Sequence, residues 1–316
     1  MPASDPTASV ASAPPTVPAW AVPHGLVTSD VEAAFLAGSA LNSLDNLVRM
    51  APAWAGSWRQ RLALKGAAAA AALTGRTESE AQLRDAWYLR APGADPGPAG
   101  NLLAAWKGLA ERSPIVSPDR LRRVANLLGL RWSDSLVSLG EQFEVLAGSG
   151  QPAPLVAAAI ATEAYRLRPD AGLLGWWIAD LAIAARMRWP VAVPLLVTQA
   201  PGPAFRSLSD RGRDRPGGEG FERAICVALA LAATDACRSA GEMAPRAARL
   251  NAATRKLRAK GAGEVIQLLL DEDCVSGTLQ TKNLTRWGSR RLFERLTALE
   301  AVRELSGRAS FRLYGL

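Results

Sequence analysis

Past the first 25 residues, hydrophobic positions recur along this chain at helical spacing almost without interruption. Residues 1–25 are rich in Pro, Ala and Ser, show no hydrophobic period, and read as a disordered arm. After Ser29, a good capping residue, Phe35, Leu36, Leu41, Leu44 and Leu47 fall on the apolar side of a helix that should stop before Pro52. Trp58, Leu62, Leu64 and the alanines over 67–72 predict a second helix, ended near Gly75. Small side chains there would let a neighbour approach closely, so this helix should be central to a bundle. Thr77 and Glu80 have capping-box spacing for a third helix through Leu83, Trp87 and Leu89. Residues 92–100, full of Pro and Gly, predict a sharp turn. Further helices fit 101–111, 118–129, 133–147, 153–167, 171–188 and 190–199, the last two parted at Pro190. Up to residue 200 nothing alternates as a strand would, and the region reads as an all-α bundle. Residues 201–220 carry Gly, Pro and charge without a period and predict a mobile surface loop. Two more helices then cover 221–241 and 245–260, forming a connector packed on the bundle. No repeat of fixed period is present.

The pattern changes over 261–316. A helix over 263–271 would bury Val265, Ile266, Leu268, Leu269 and Leu270, and Asp271, Glu272 and Asp273 would end it in solvent. Cys274 and Val275 suit a short strand, and 278–285 a turn or short second helix. Ser289 is the expected N-cap of a third helix, with Leu292, Leu296 and Leu299 inside and Arg290, Arg291, Glu294 and Arg295 on other faces. Val302, Leu305, Phe311 and Leu313 then alternate with polar residues around Ser306 and Gly307, a hairpin signal. This is the layout of a winged helix-turn-helix. Ser289, Leu296, Leu299, Gly307, Arg308 and Tyr314 also match the motif of the C-terminal winged helices of bacterial transcription regulators and Fic-type proteins, which the stretch resembles. Glu300 departs from that motif, which has Gly after the helix. The resemblance implies DNA binding: Arg286, Ser289, Arg290, Arg291 and Arg295 at the groove, Arg308 and Arg312 on flanking phosphates.

Charge supports that placement. The net charge is +8, and from residue 245 onward 14 Lys or Arg stand against 7 Asp or Glu. Concentrated positive charge supplies sequence-independent attraction to phosphate. The Ala- and Leu-heavy composition favours helix. Cys226, Cys237 and Cys274 have no paired spacing, and His24 is the sole histidine, which excludes the common zinc sites and predicts reduced thiols. The longest apolar stretch noted, 171–185, contains Asp180 and is shorter than the ~20 residues a membrane span needs. A cytoplasmic protein without a membrane partner is expected.

Catalytic signatures are sparse. A nucleophile paired with histidine would have to use His24 in the arm. The His-Pro-Phe motif of Fic-type enzymes is absent, and Gly261-Ala-Gly263 lacks the Lys of a phosphate loop, so no cofactor is expected. Glu163, Asp180 and Asp235, with Asp45 and Asp85, occupy apolar helical settings where paired carboxylates can hold Mg²⁺ or move protons. Arginines on neighbouring helices, Arg49, Arg59, Arg61, Arg84, Arg166, Arg168 and Arg186 among them, make helix-registering ion pairs the adopted reading. Trp54, Trp58, Trp87, Trp106, Trp132, Trp176, Trp177 and Trp189 read as core, each indole N–H expected to find an acceptor.

Over nearly its full length the chain is similar to a bacterial family known as domain of unknown function 1403. Residues 58–65, 83–87 with 95–100, and 260–264 with 311–316 carry that similarity. It implies an accessory-genome protein and no particular activity. The expected molecule is therefore mainly α: arm 1–25, bundle 26–200, loop 201–220, connector 221–260 and winged helix 261–316. Duplex DNA is the expected partner. The alternative is a non-enzymatic adaptor whose winged helix docks a protein or a second copy of the chain.

Overall fold

The computed structural model describes residues 13–316, apart from 92, 210–211, 255–256, 258–260 and 308–309. Ser29 accepts a hydrogen bond from the Glu32 amide (3.3 Å) and starts α1 (Asp30–Met50), where Leu36, Leu41, Leu44 and Leu47 are buried. Phe35 is not on that face. It is 59% exposed and lies against Trp20, with ring centroids 5.7 Å apart. The arm from residue 13 on is packed rather than disordered: Ala21 is buried in a short 3-10 turn, and Ser43 Oγ donates to the Thr16 carbonyl.

The Ala-rich helix α2 (Ala55–Leu73) buries Ala63, Ala67, Ala70 and Ala71 completely. Against it lie α3 (Glu80–Tyr88) and α4 (Gly97–Glu111). The capping box of α3 is formed by Ser79 and Gln82, not by Thr77 and Glu80, because the chain turns helical two residues later. Then follow α5 (Pro118–Leu127), α6 (Ser135–Gly148), α7 (Ala153–Leu167) and α8 (Gly172–Met187), with α7 and α8 packed along each other.

Residues 190–199 do not form the expected helix. Pro194 cannot donate to the carbonyl of Pro190, and the stretch stays open until a single 3-10 turn at Leu196–Thr198. Two of its amides are satisfied from α8. The buried Asp180 carboxylate accepts from Leu195 N (2.9 Å) and Leu196 N (3.1 Å). The described part of 201–220 is likewise tied down: Phe205 is buried beside Trp176 and Phe221, and Gly217 N donates to Thr162 Oγ1.

Two expected helices are one. α9 (Phe221–Thr254) runs 34 residues with Pro245 inside it. A proline there removes the bond to the Gly241 carbonyl, but that side of the helix faces solvent, and Arg246 donates to the neighbouring Glu242 carbonyl. Meanwhile Ala240, Met243, Ala247 and Leu250 continue one buried stripe past the proline. Burial of that stripe in the core overrides the local break. By length and composition α9 would also suit a membrane span, yet 72% of its most apolar window is buried inside the protein.

The C-terminal residues form α10 (Ala262–Asp271), β1 (Val275–Ser276), α11 (Arg286–Ala298), β2 (Arg303–Glu304) and β3 (Leu313–Gly315). The three strands make an antiparallel sheet in the order β1-β3-β2, with Val275 opposite Tyr314 and Glu304 opposite Tyr314 on the other side. Residues 278–285 are turns, closed by a bridge between Thr281 and Leu284. Val265, Ile266, Leu292, Phe293, Leu296 and Leu316 join the same hydrophobic core as the bundle.

Candidate nucleic-acid interface

The position of α11 is set by three contacts. Thr285, not Ser289, is its N-cap, accepting from the Gly288 amide (3.1 Å). Leu292, Phe293 and Leu296 are buried, and the Phe293 ring stacks on Tyr314 of β3 with centroids 4.6 Å apart. Ser289 is completely buried, and its hydroxyl donates to the Leu279 carbonyl, pinning the helix to the preceding turn. Ser289 is therefore a structural anchor, and its hydroxyl does not reach the surface, where a groove contact would require it.

The other face of α11 carries Arg286, Arg290, Arg291 and Arg295, all exposed. Arg286 and Arg290 line a cleft of about 230 Å³ together with Glu294 and, from the strand side, Gly277, Thr278, Phe311, Arg312 and Tyr314. The fold thus brings Arg312 to Arg286 and Arg290, while Arg291 and Arg295 stand outside the cleft. Arg308 lies outside the described residues. Arg290 faces Glu294 (3.3 Å) and Arg312 faces Glu304 (3.6 Å), pairs exposed enough to be exchanged for phosphate at small cost. The Tyr314 hydroxyl, and then the Glu304 carboxylate, hold the Arg312 guanidinium above its ordinary range. Trp287, 73% exposed, and Phe311, 61% exposed, flank these arginines.

Where the C-terminal elements meet the bundle lies a second polar centre. Asp273, expected in solvent, is 2% exposed. Its Oδ1 accepts from Arg61 Nε (2.7 Å) and its Oδ2 from Arg84 Nε (2.6 Å). Arg61 also donates to the Leu316 carbonyl (2.9 Å), and Gly315 leaves no room for a side chain against Asp273 O. Burial alone would push the Asp273 carboxyl up, but Arg61 and Arg84 outweigh it and hold the group below the usual carboxylate range. Next to it, Glu272 Oε2 accepts from Lys107 Nζ (2.8 Å) and from the Tyr88 hydroxyl (2.9 Å), and Lys107 also donates to Gln60 (2.7 Å). Helices α2, α3 and α4 thereby grip one corner between α10 and β1.

Residues 5–316 match the family described as Protein of unknown function (DUF1403). The chain belongs to that family. No curated protein matches it. In this DUF1403 member, the stretches that carried the similarity at the outset contain Gln60, Arg61, Arg84 and Leu316, and they converge on the Asp273 corner.

The carboxylates singled out in the sequence do not come together. Glu163 pairs with Arg166 (2.6 Å) on one exposed helical turn, and Asp235 pairs with Arg238 (2.8 Å) and accepts from Gln199. Among the described residues Asp180 meets neither a second carboxylate nor an arginine; both of its oxygens accept from backbone amides. Asp45 accepts from Arg49 and from the Trp189 indole. Among the described residues no three His, Cys, Asp or Glu side chains converge as a ligand set. The Trp58 and Trp177 indoles reach the Ala236 and Ala105 carbonyls, whereas those of Trp106 and Trp132 have no acceptor among the described residues. All three cysteines are free and buried, and burial raises Cys226 to about 11 and Cys237 to about 12.

Sequence reasoning missed the Asp273 corner, although a signal was present. Three acidic residues at a helix C-terminus oppose the helix dipole, so they call for cations from elsewhere in the fold. Arg61 and Arg84 supply them.

Proposed function

We propose that residues 261–316 act as a winged-helix module that binds DNA, with the helical bundle as the platform holding it. The order helix, strand, helix, strand, strand and the β1-β3-β2 sheet support this reading. A turn over 278–285 stands where a helix-turn-helix has its second helix, which makes the module a shortened one. The observation that carries the proposal is the convergence of Arg286 and Arg290 from α11 with Arg312 from β3 on one open cleft. Three guanidiniums from two elements form a preset cradle for backbone phosphate. A cytoplasmic, bacterial setting belongs to the same proposal.

The test is a salt titration of binding to duplex DNA, comparing the wild type with Arg286→Ala/Arg290→Ala, which removes two of the three cleft arginines. Three phosphate contacts give a slope of log affinity against log salt near about −3, and the double variant should flatten it by about 2. The absence of binding at low salt would overturn the proposal. The alternative, a protein-docking module, draws on the exposed Trp287 and Phe311. Its mark is capture of a protein partner that is indifferent to salt and survives the double substitution.

A further inference from the structure

Resting on the DNA-binding reading, we propose that the preferred ligand is single-stranded DNA: a backbone phosphate sits among Arg286, Arg290 and Arg312, and unpaired bases stack on Trp287 and Phe311. Four observations lead there. Trp287 and Phe311 are 73% and 61% exposed, two large rings held in water: Phe311 lines the cationic cleft, and Trp287 follows the cleft residue Arg286 on α11. Trp287 precedes Arg290 and Arg291 by three and four positions on α11, so the indole and those two guanidiniums share one helical face. Phe311 is held at φ 60°, a left-handed conformation strained for a non-glycine residue, and its ring gains no burial there. The cleft, at about 230 Å³ and open to solvent, has room for a phosphate group among its arginines.

Geometry weighs against a closed duplex as the best ligand. A reading helix contacts base edges with its N-terminal residues, and a preceding helix crosses the backbone to seat it. Here the preceding element is a turn, and the first exposed turn of α11 carries a bulky indole beside its arginines. Paired bases offer that indole no ring face. Unpaired bases do, and stacking on aromatic side chains beside a basic groove is how single strands are held without sequence preference.

The experiment measures fluorescence anisotropy of the full chain with a labelled oligothymidine strand and with a labelled duplex of equal length, at one low salt concentration. The wild type should bind the single strand more tightly. Trp287→Ala should weaken single-strand binding by about tenfold and duplex binding by less than about twofold, while Trp287→Phe keeps most of the affinity. Because Trp287 is exposed, the thermal midpoint of both variants should match the wild type, which separates loss of stacking from loss of fold. Duplex binding that equals or exceeds single-strand binding, or a Trp287→Ala variant that binds both forms as the wild type does, overturns this inference and leaves the DNA-binding reading standing. The absence of binding to either form overturns both.

Discussion

Glu300 shows how far a single residue can be read in advance. The motif that the C-terminal stretch resembles has Gly after the helix, and the chain does make the left-handed turn there, with Glu300 at φ 51°. Glu300→Gly should therefore stabilise the protein by about 0.5–1 kcal/mol. The exposed Arg249–Glu300 contact at 3.4 Å offsets little of that. A urea midpoint below that of the wild type would sink the argument. Other residue-scale choices were not legible. Thr285 and Ser289 are both good caps, and only the position of the Leu279 carbonyl assigns one to the helix start and the other to the interior.

At the scale of elements, periodicity located nearly every helix of the bundle and failed where proline and packing compete. Pro194 outweighed the apolar run over 190–199, because that stretch finds two of its amide partners in Asp180 instead of in a helix. Pro245 was outweighed in turn, because the buried stripe from Ala240 to Leu250 continues through it. Both stretches bury apolar residues, and local propensity separates them: 190–199 carries two prolines and three valines, whereas 240–250 is Ala-rich with a single proline. Pro245→Ala should restore the bond to the Gly241 carbonyl and raise the stability of α9 by about 1–3 kcal/mol. Thermal denaturation checks this; an unchanged or lower midpoint would mean that α9 has adapted fully to the proline.

For the whole molecule, two buried carboxyls set opposite responses to pH. Asp273 is held below its ordinary range by Arg61 and Arg84, so its contribution is present above the unfolded carboxyl value and is lost as pH falls through the folded one. Asp180 is pushed by burial up to about 7, in spite of its two amide bonds, so its neutral form is favoured in the fold and stability declines as pH rises toward that value. The melting temperature should therefore peak near the ordinary carboxyl value, at about pH 4, and decline from there toward about 7. Asp273→Asn should flatten the acid limb while lowering stability by about 3–5 kcal/mol, since two buried guanidiniums lose their counter-charge. Asp180→Asn should flatten the limb near neutrality. A melting profile whose neutral limb is the same in wild type and Asp180→Asn would refute the second assignment.

The same scale separates what the chain announces from what the fold decides. The sequence by itself determined the mainly helical class, most of the helix positions, the strand pair at the end and the concentration of arginine there. Each of these is a local matter of spacing, capping and charge, settled among residues a few positions apart. Only the tertiary structure decided that Arg312 joins Arg286 and Arg290, that Ser289 turns inward, and that Asp273 is gripped by Arg61 and Arg84 across more than half the chain. Those pairings are fixed by the burial of one continuous core shared by bundle and C-terminal elements. No local pattern records which distant cation a buried carboxylate will meet, because that choice is made by packing after the elements have formed.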